Sequence, residues 1–273
     1  MSHVTNGRTS VVGQGLERVE DRNLLSASLG GTVNVSIVGN AVTISGDAHE
    51  DHIVVQQTPG GAMQIIGGTN TRLSAGAGLA VSGNSVFIPA ADNVTTLNVN
   101  FGDSLSTIAF CNMALPDNIN ISAGNGNDKV LIAGCTGSSN VSISMGTGID
   151  QLAIYGSSLG SLSSTMGSDS STNADRVEVR GTTVSGDATI KTGGGNDSVM
   201  LASAPHNGGD GFTGNVNVFL GAGNDYFSAN NSTFSGDLNV NMGLGNNIAV
   251  GLVSVAGGIN VTGNGVNLIH RGL

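Results

Sequence analysis

Short segments with apolar or small residues at alternate positions recur along most of this chain. Between residues 97 and 263, eight such segments each run into a glycine-rich turn, and most of these turns end in Asp or Asn. Alternation with a period of two is typical of β-strands that bury one face. The segments read LNVNF (97–101), INISA (119–123), VSISM (141–145), LSSTM (162–166), ATIKT (188–192), VNVFL (216–220), LNVNM (238–242) and INVTG (259–263).

The spacing of these segments predicts a repeat architecture. Their last residues lie 22, 22, 21, 26, 28, 22 and 21 positions apart. A nearly fixed period with one strand and turn per repeat is typical of a solenoid, in which each coil stacks on the one before. The two longest repeats carry extra residues in loops 167–175 and 203–214. Insertions of this kind collect where a partner can be met.

A second alternating strand follows each turn. Counting from the Asp that ends the turn, the positions two and four residues later are apolar, so we expect them to point inward. With a third short strand per repeat, the pattern predicts an all-β parallel β-helix of about 22 residues per coil. The apolar pairs are Val130/Ile132, Leu152/Ile154, Val177/Val179 and Val199/Leu201.

The segment before the regular array has a different pattern. Residues 33–47 read as two strands joined across Gly39-Asn40, and 52–57 and 63–68 read as a second hairpin. We therefore predict an N-terminal antiparallel β-hairpin cap over 31–90, ahead of a parallel β-helix over 91–273. A cap here would cover the unpaired backbone groups of the first coil. Residues 1–30 read as a targeting or flexible segment.

The C-terminal residues begin one more coil without an obvious cap. GNGVNLI (263–269) starts this coil, and His270 and Arg271 follow it. We expect this end either to finish by charge or to self-associate by pairing with another subunit.

Composition and charge exclude some partners. The chain has 44 Gly, no Trp, 10% charged residues and a net charge of −10. It lacks the clustered basic residues with which proteins bind nucleic acid, so no nucleic-acid partner is expected. No run of residues approaches the roughly eighteen apolar residues of a membrane span. Cations or a cationic surface are the natural partners of so acidic a chain.

The glycine-rich turns carry the strongest candidate chemistry. Turns such as GNGND (124–128) and GAGND (221–225) resemble half of the RTX calcium repeat, GGxGxDxUx, although RTX repeats recur every nine residues. At the longer period the turn aspartates would stack along one edge of the rod, where bridging Ca²⁺ ions would relieve their mutual repulsion. The candidate metal ligands are Asp128, Asp150, Asp175, Asp197 and Asp225.

The same aspartates also fit a purely structural role. Asp and Asn hydrogen-bond within their own turns and tolerate left-handed backbone conformations. Asn247 occupies the same slot in its turn, and Ile149 and Ala174 precede two of the aspartates. These departures from the RTX pattern favour the turn-forming interpretation over calcium sites.

Two smaller features complete the candidate list. HEDH (49–52) places two histidines three residues apart, but a zinc site needs further rigid ligands, so a solvated turn is the preferred interpretation. Cys111 lies eight residues after Asp103, and Cys135 lies seven after Asp128. The two cysteines would then occupy nearly equivalent positions on adjacent coils, where either a disulfide or stacked free thiols would fit.

Signatures of catalysis are weak. No nucleophile elbow, phosphate loop or zincin helix is present. Arg176, Arg180 and Lys191, taken with Asp150 and Asp175, form the one candidate cluster for a polysaccharide lyase or hydrolase. Only two tyrosines and no tryptophan are present to stack on sugars.

The N-terminal segment carries a resemblance to a known family. LERVEDRNLLSA (16–27) resembles the LExLExRxLLS motif, related to the LEPR-XLL domain, that opens many large exported proteins of planctomycete-type bacteria. The matching residues are Leu16, Glu17, Glu20, Arg22, Leu24, Leu25 and Ser26, with Val19 in place of the usual Leu. The resemblance implies an export or sorting tag ahead of a repeat region, and hence an extracellular or cell-surface location. The alternative is a short amphipathic helix that caps the solenoid of a cytoplasmic protein.

Together these features predict an exported, non-catalytic structural protein of a cell surface or matrix, with Ca²⁺ as its candidate cofactor. Self-association or surface polysaccharide would supply its partners. The alternatives are a carbohydrate-active β-helix that uses residues 167–180 and an adhesion module that uses the loop at 203–214.

Overall fold

The computed structural model describes residues 30–167, 173–202 and 210–272. Within these ranges the chain is all-β, and its one helical element is a 3₁₀ turn, Ala90–Asp92. The seven strands that precede this turn are β1 (Gly31–Val38), β2 (Ala41–Ser45), β3 (Asp51–Gln57), β4 (Met63–Gly67), β5 (Thr71–Ala75), β6 (Val81–Ser82) and β7 (Ser85–Ile88).

Nineteen described strands follow the turn. The first ten are β8 (Thr96–Asn100), β9 (Ser106–Cys111), β10 (Asn118–Ser122), β11 (Lys129–Ala133), β12 (Asn140–Ser144), β13 (Gln151–Tyr155), β14 (Ser158–Leu159), β15 (Ser161–Thr165), β16 (Arg176–Arg180) and β17 (Thr183–Val184). The last nine are β18 (Ala188–Lys191), β19 (Ser198–Ala202), β20 (Gly211–Phe212), β21 (Val216–Phe219), β22 (Tyr226–Phe234), β23 (Leu238–Asn241), β24 (Asn247–Val255), β25 (Ile259–Thr262) and β26 (Gly265–Arg271).

These strands form two long sheets that are parallel through the repeats. The first sheet has the order β25-β23-β21-β18-β15-β12-β10-β8-β2-β1-β5. The second sheet runs β22-β19-β16-β13-β11-β9-β3-β4-β7-β6, and β24 and β26 continue it beyond β22. Each repeat adds one strand to each sheet, and the short strands β14, β17 and β20 pair in a further parallel row. This arrangement is consistent with a β-helix or solenoid-like fold.

The register of the first sheet matches the alignment predicted from the sequence. Each predicted segment pairs with the next at its first apolar residue, including across the two long repeats. The aligned partners are Leu97, Ile119, Val141, Leu162, Ala188, Val216, Leu238 and Ile259.

The N-terminal strands form antiparallel hairpins, as predicted, although β1 also pairs in parallel with β5. β1 and β2 form a hairpin in which Val38 lies opposite Ala41, and β3 and β4 form a second one in which Gln57 lies opposite Met63. β2 then pairs in parallel with β8, and β3 pairs in parallel with β9. The two hairpins therefore begin the two long sheets.

Inward apolar side chains form one continuous cluster between the sheets, from Val33 to Val255. Aliphatic residues dominate this cluster, because the inward positions along most strands are Val, Ile or Leu. The rings of Phe212 and Phe234 stack with their centroids 5.1 Å apart. Since each repeat buries its apolar face only against its neighbours, stability depends on the stacking of successive repeats.

The outer face of the first sheet is covered by short polar side chains in register. The Asn120 amide donates to the Asn98 amide oxygen at 3.0 Å, and Asn239 donates to Asn217 at 3.1 Å. These ladders satisfy side-chain amide groups on the outer face without charged residues.

Candidate functional site

A row of side chains lies where each glycine-rich turn enters the second sheet. In this row the Oδ1 atom of each Asp or Asn accepts a hydrogen bond from the backbone N–H of the equivalent residue one repeat earlier, at 2.8–2.9 Å. The donor and acceptor pairs are Ser106–Asp128, Asp128–Asp150, Asp150–Asp175, Asp175–Asp197, Asp197–Asp225 and Asp225–Asn247.

This aspartate row is buried, and does not lie along an edge of a rod as the sequence pattern predicts. None of the five predicted aspartates exposes more than 2% of its surface. The backbone N–H at the start of each second-sheet strand needs an acceptor, and a buried one left without a partner would be costly. The carboxylate of the following repeat supplies that acceptor, which holds the side chain inside.

Burial changes the acidity of these carboxyl groups. Desolvation raises the pKa of Asp128 to about 6, although the N–H donor of Ser106 opposes the change. Desolvation likewise raises the pKa of Asp225 to about 6, against the N–H donor of Asp197. The Oδ2 atoms of Asp128 and Asp225 are buried without a hydrogen-bond partner among the described residues. Ionisation of either carboxyl group therefore lowers the stability of the folded chain.

Asn247 occupies the last position of the aspartate row and shows that this position requires a side-chain oxygen as acceptor. Its Oδ1 accepts from Asp225 as the aspartates do, and its Nδ2 donates to the carbonyl oxygen of Met242 at 2.9 Å. A neutral amide thus fulfils the hydrogen-bonding role without a charge. This geometry supports the turn-forming interpretation of the row.

The described ranges contain no group of three or more His, Cys, Asp or Glu side chains arranged to hold a metal ion. Calcium takes six to eight oxygen ligands. In the aspartate row the Oδ1 atom of each aspartate already accepts a backbone N–H. Calcium binding by Asp128, Asp150, Asp175, Asp197 and Asp225 stays a prediction.

A second buried polar row, which the sequence pattern does not predict, lies at the far end of the second-sheet strands. The backbone N–H of Cys135 donates to the Ser157 hydroxyl at 3.1 Å, and the N–H of Thr182 donates to Asp210 Oδ1 at 2.8 Å. Burial raises the pKa of Asp210 to about 7. Asp210 gave no signal in the sequence because it lies within the loop at 203–214, which interrupts the repeat.

The cysteines do not occupy equivalent positions. Both are free thiols, and Cys111 lies opposite Ala133 in the register, so Cys135 is two residues further along the chain. The predicted equivalence of the two cysteines was wrong because it was counted from Asp103. In the structure Ser106, and not Asp103, is the residue that pairs with Asp128. The register thus gives no support to the alternative of a disulfide between Cys111 and Cys135.

The HEDH segment is a turn followed by a strand. His49 is exposed, with its Nδ1 atom 3.1 Å from Asp47 Oδ1. Asp51 is fully buried and lies opposite Ser106, in register with the aspartate row, but its Oδ2 accepts from the N–H of Asp47 in its own turn at 3.2 Å. Its position at the start of an alternating strand is the feature of the sequence that indicates this placement.

The candidate catalytic cluster is not assembled. Lys191 lies on β18 of the first sheet, where its Nζ atom is 5.9 Å from the Phe219 ring centroid. Asp150 and Asp175 are buried in the aspartate row. Arg176 and Arg180 are separated from all three because alternate residues of β16 point to the outer face of the second sheet.

Arg176 and Arg180 instead flank a carboxylate on that face. Arg176 Nη2 donates to Glu178 Oε2 at 2.9 Å, and Arg180 Nε contacts Glu178 Oε1. Burial alone would raise the pKa of Glu178, but hydrogen bonds from Arg176 and Tyr155 and the charges of both arginines hold it below its usual range. Glu178 is therefore ionised at neutral pH and fixes the two guanidinium groups.

The motif at Leu16–Ala27 lies outside the described residues, and so does most of the loop at 203–214. Within the residues that the structure covers, no helix has the length and apolar character needed to cross a membrane.

No protein-family model matches the chain, and comparison with curated proteins and with solved structures also finds no match.

Proposed function

We propose that the chain is a parallel β-helix of about 22 residues per coil, and that it serves as an exported, non-catalytic structural protein of a cell surface or matrix. The observation that carries the proposal is the buried aspartate row, which links every second-sheet strand from β9 to β24 by side-chain hydrogen bonds. Such a row fixes the stacking of the repeats, and a continuous core fills the space between the sheets. These features suit a stiff rod.

The export of this rod is expected to depend on the N-terminal motif. Leu24 and Leu25 are two of the residues that carry the resemblance. We expect Leu24→Asn combined with Leu25→Asn to retain the protein inside the cell, because a sorting tag is read through these side chains. Antibody labelling of intact cells, compared with labelling of lysed cells, measures the surface fraction.

A matched variant, Val11→Asn combined with Val12→Asn, changes two apolar residues of the same segment outside the motif. It should leave the surface fraction unchanged. Equal surface labelling of the two variants would contradict the export role of the motif.

Self-association belongs to the same proposal. Among the described strands, β25 and β26 each have a neighbour on one side only. Leu252 and Leu268, on β24 and β26, are 55% and 51% exposed. Unpaired strand edges beside exposed apolar side chains favour pairing with a second copy.

We expect the sedimentation coefficient of the purified chain to rise with concentration, and the variant Leu252→Lys/Leu268→Lys to suppress that rise, because charges block edge pairing. Val38→Lys places a charge on a residue that is 81% exposed at the hairpin end and serves as the matched control. A concentration-independent coefficient for the unmodified chain would contradict self-association.

A further inference from the structure

The outer face of the second sheet contains a small pocket over β11, β13 and β16. In the register of these strands, Ala153 lies between Leu131 and Glu178. Because the alanine side chain is short, a cavity of about 160 Å³ opens above it. Besides Ala153, the residues that line the cavity include Lys129, Leu131, Gln151, Tyr155, Arg176 and Glu178.

Positive charge is concentrated around this pocket. Lys129, Gln151 and Arg176 form one row along its side, and Arg180 lies beside Tyr155 in another. These three cations belong to a chain that has only nine Lys and Arg residues and a net charge of −10. On the exposed face these three cations outnumber the one carboxylate, Glu178, while the aspartates that precede Lys129, Gln151 and Arg176 in the chain are buried in the aspartate row. The exposed face therefore favours an anionic group as its ligand.

The guanidinium beside the pocket is held in place yet still has free donors. One of the N–H groups of Arg176 donates to Glu178, while a guanidinium carries five donors in all. The Arg176 side chain is 48% exposed, so the remaining donors are accessible. Lys129 makes no ion pair with any described residue. The fork of an arginine matches the geometry of a carboxylate, and a lysine adds a point charge.

The spacing of the strands brings these groups within reach of one ligand. Neighbouring strands lie about 4.8 Å apart, so Lys129 and Arg176, two strands apart, are separated by about 10 Å at the backbone. Two long side chains can meet at a single carboxylate across that distance. Between them, the Gln151 amide offers a donor and an acceptor to hydroxyl groups. Leu131, Ala153 and Tyr155 give the pocket an apolar floor and an aromatic side, which suit the face of a sugar ring.

We propose that this pocket binds a uronate unit of an anionic polysaccharide, with the sugar carboxylate between Lys129 and Arg176 and the ring over Ala153. The proposal deepens the proposed surface role by naming the class of matrix polymer that the rod would meet. It is separable from that role, because binding is measured on the purified chain alone.

The test is calorimetric titration of the full chain with a trimer of galacturonic acid and, in parallel, with a trimer of galactose. We expect heat of binding with the uronate trimer and none with the neutral trimer. Ala153→Leu fills the pocket, and Lys129→Ala removes a cation; each should weaken uronate binding by about tenfold or more, which corresponds to about 1.4 kcal/mol. Both residues lie on the outer face, so the melting temperature of each variant should match that of the unmodified chain.

Lys191→Ala is the matched control, because it removes a lysine from the outer face of the other sheet. It should change the affinity by less than about twofold. Absence of binding by the unmodified chain, equal binding of the neutral trimer, or equal weakening by Lys191→Ala would each overturn the proposal. Cleavage of the trimer would support the pocket and its ligand, but it would overturn the non-catalytic role.

Discussion

Replacement of Gly223 by alanine is expected to destabilise the chain by about 3 kcal/mol or more, or to prevent folding altogether. Gly223 has a φ of +147°, a backbone conformation that side chains with a Cβ rarely adopt. A Cβ built on it would lie 1.5 Å from the carbonyl oxygen of Gly195, one repeat earlier. Neither backbone can retreat, because the N–H of Gly223 donates to Leu244 and that of Gly195 donates to Ala222. Urea unfolding followed by circular dichroism measures the loss.

Gly156→Ala tests the effect of backbone strain alone, without a clash between the backbones of neighbouring turns. Gly156 has a φ of +54°, and a Cβ there would meet nothing within 4 Å. We expect this variant to cost only about 1–2 kcal/mol, the ordinary penalty of a left-handed residue. If both variants lost the same stability, the stacking of the turn backbones would not be the cause. A Gly223→Ala chain that fails to fold beside a folded Gly156→Ala chain would confirm it.

The pairing of successive repeats could be predicted because the repeated pattern lies in strand residues. Apolar side chains at alternate positions identified the inward face, and their spacing aligned Leu162 with Ala188 across an insertion of several residues. Stacking then follows, since a repeat that buries one apolar face can do so only against its neighbours. The hairpin of β1 and β2 could also be predicted from the sequence, because Gly39-Asn40 is a strong turn signal.

The candidate sites were harder to predict because they depend on register at the corners. The sequence showed that Asp128 and Asp150 share a slot, but not that the slot faces inward toward an N–H group of the preceding repeat. Cys111 was misplaced because Asp103 resembles a slot residue while Ser106 occupies the slot. The pocket over Ala153 had no signal at all, since it arises from a short side chain between larger ones on three adjacent strands.

The stability of the chain is expected to decrease as pH rises from about 4 to 7. The pKa values of Asp51, Asp128 and Asp225 are raised from 3.8 to about 6, and that of Asp210 to about 7. In this window the folded chain binds more protons than the unfolded chain, so the free energy of unfolding falls with rising pH. The gain from protonation is complete below the unfolded value and is lost once the pH exceeds the folded values. Unfolding in urea should therefore show greater stability at pH 5 than at pH 8.

Asp225→Asn is expected to remove one part of this dependence. The amide keeps the acceptor for the Asp197 N–H, and its Nδ2 can donate to the Leu220 carbonyl, which lies five residues earlier as Met242 does from Asn247. Because the buried charge is lost, we expect a gain of about 1–2 kcal/mol at pH 8, on the scale of 1.4 kcal/mol per pKa unit. That gain should shrink toward zero at pH 5, where the unmodified carboxyl is protonated.

Asp225→Ala and a calcium titration distinguish a turn-forming role of the aspartate row from calcium binding. The alanine variant leaves the Asp197 N–H without its acceptor and should lose about 1–3 kcal/mol at both pH values. If the aspartates are turn formers, EDTA and millimolar Ca²⁺ should give the same melting temperature for the unmodified chain and for Asp225→Asn. If the row binds calcium, Ca²⁺ should raise the melting temperature of the unmodified chain, and Asp225→Asn should lower stability as Asp225→Ala does. A cation requires the negative charge that an amide lacks, whereas a backbone N–H requires only the oxygen that both residues carry.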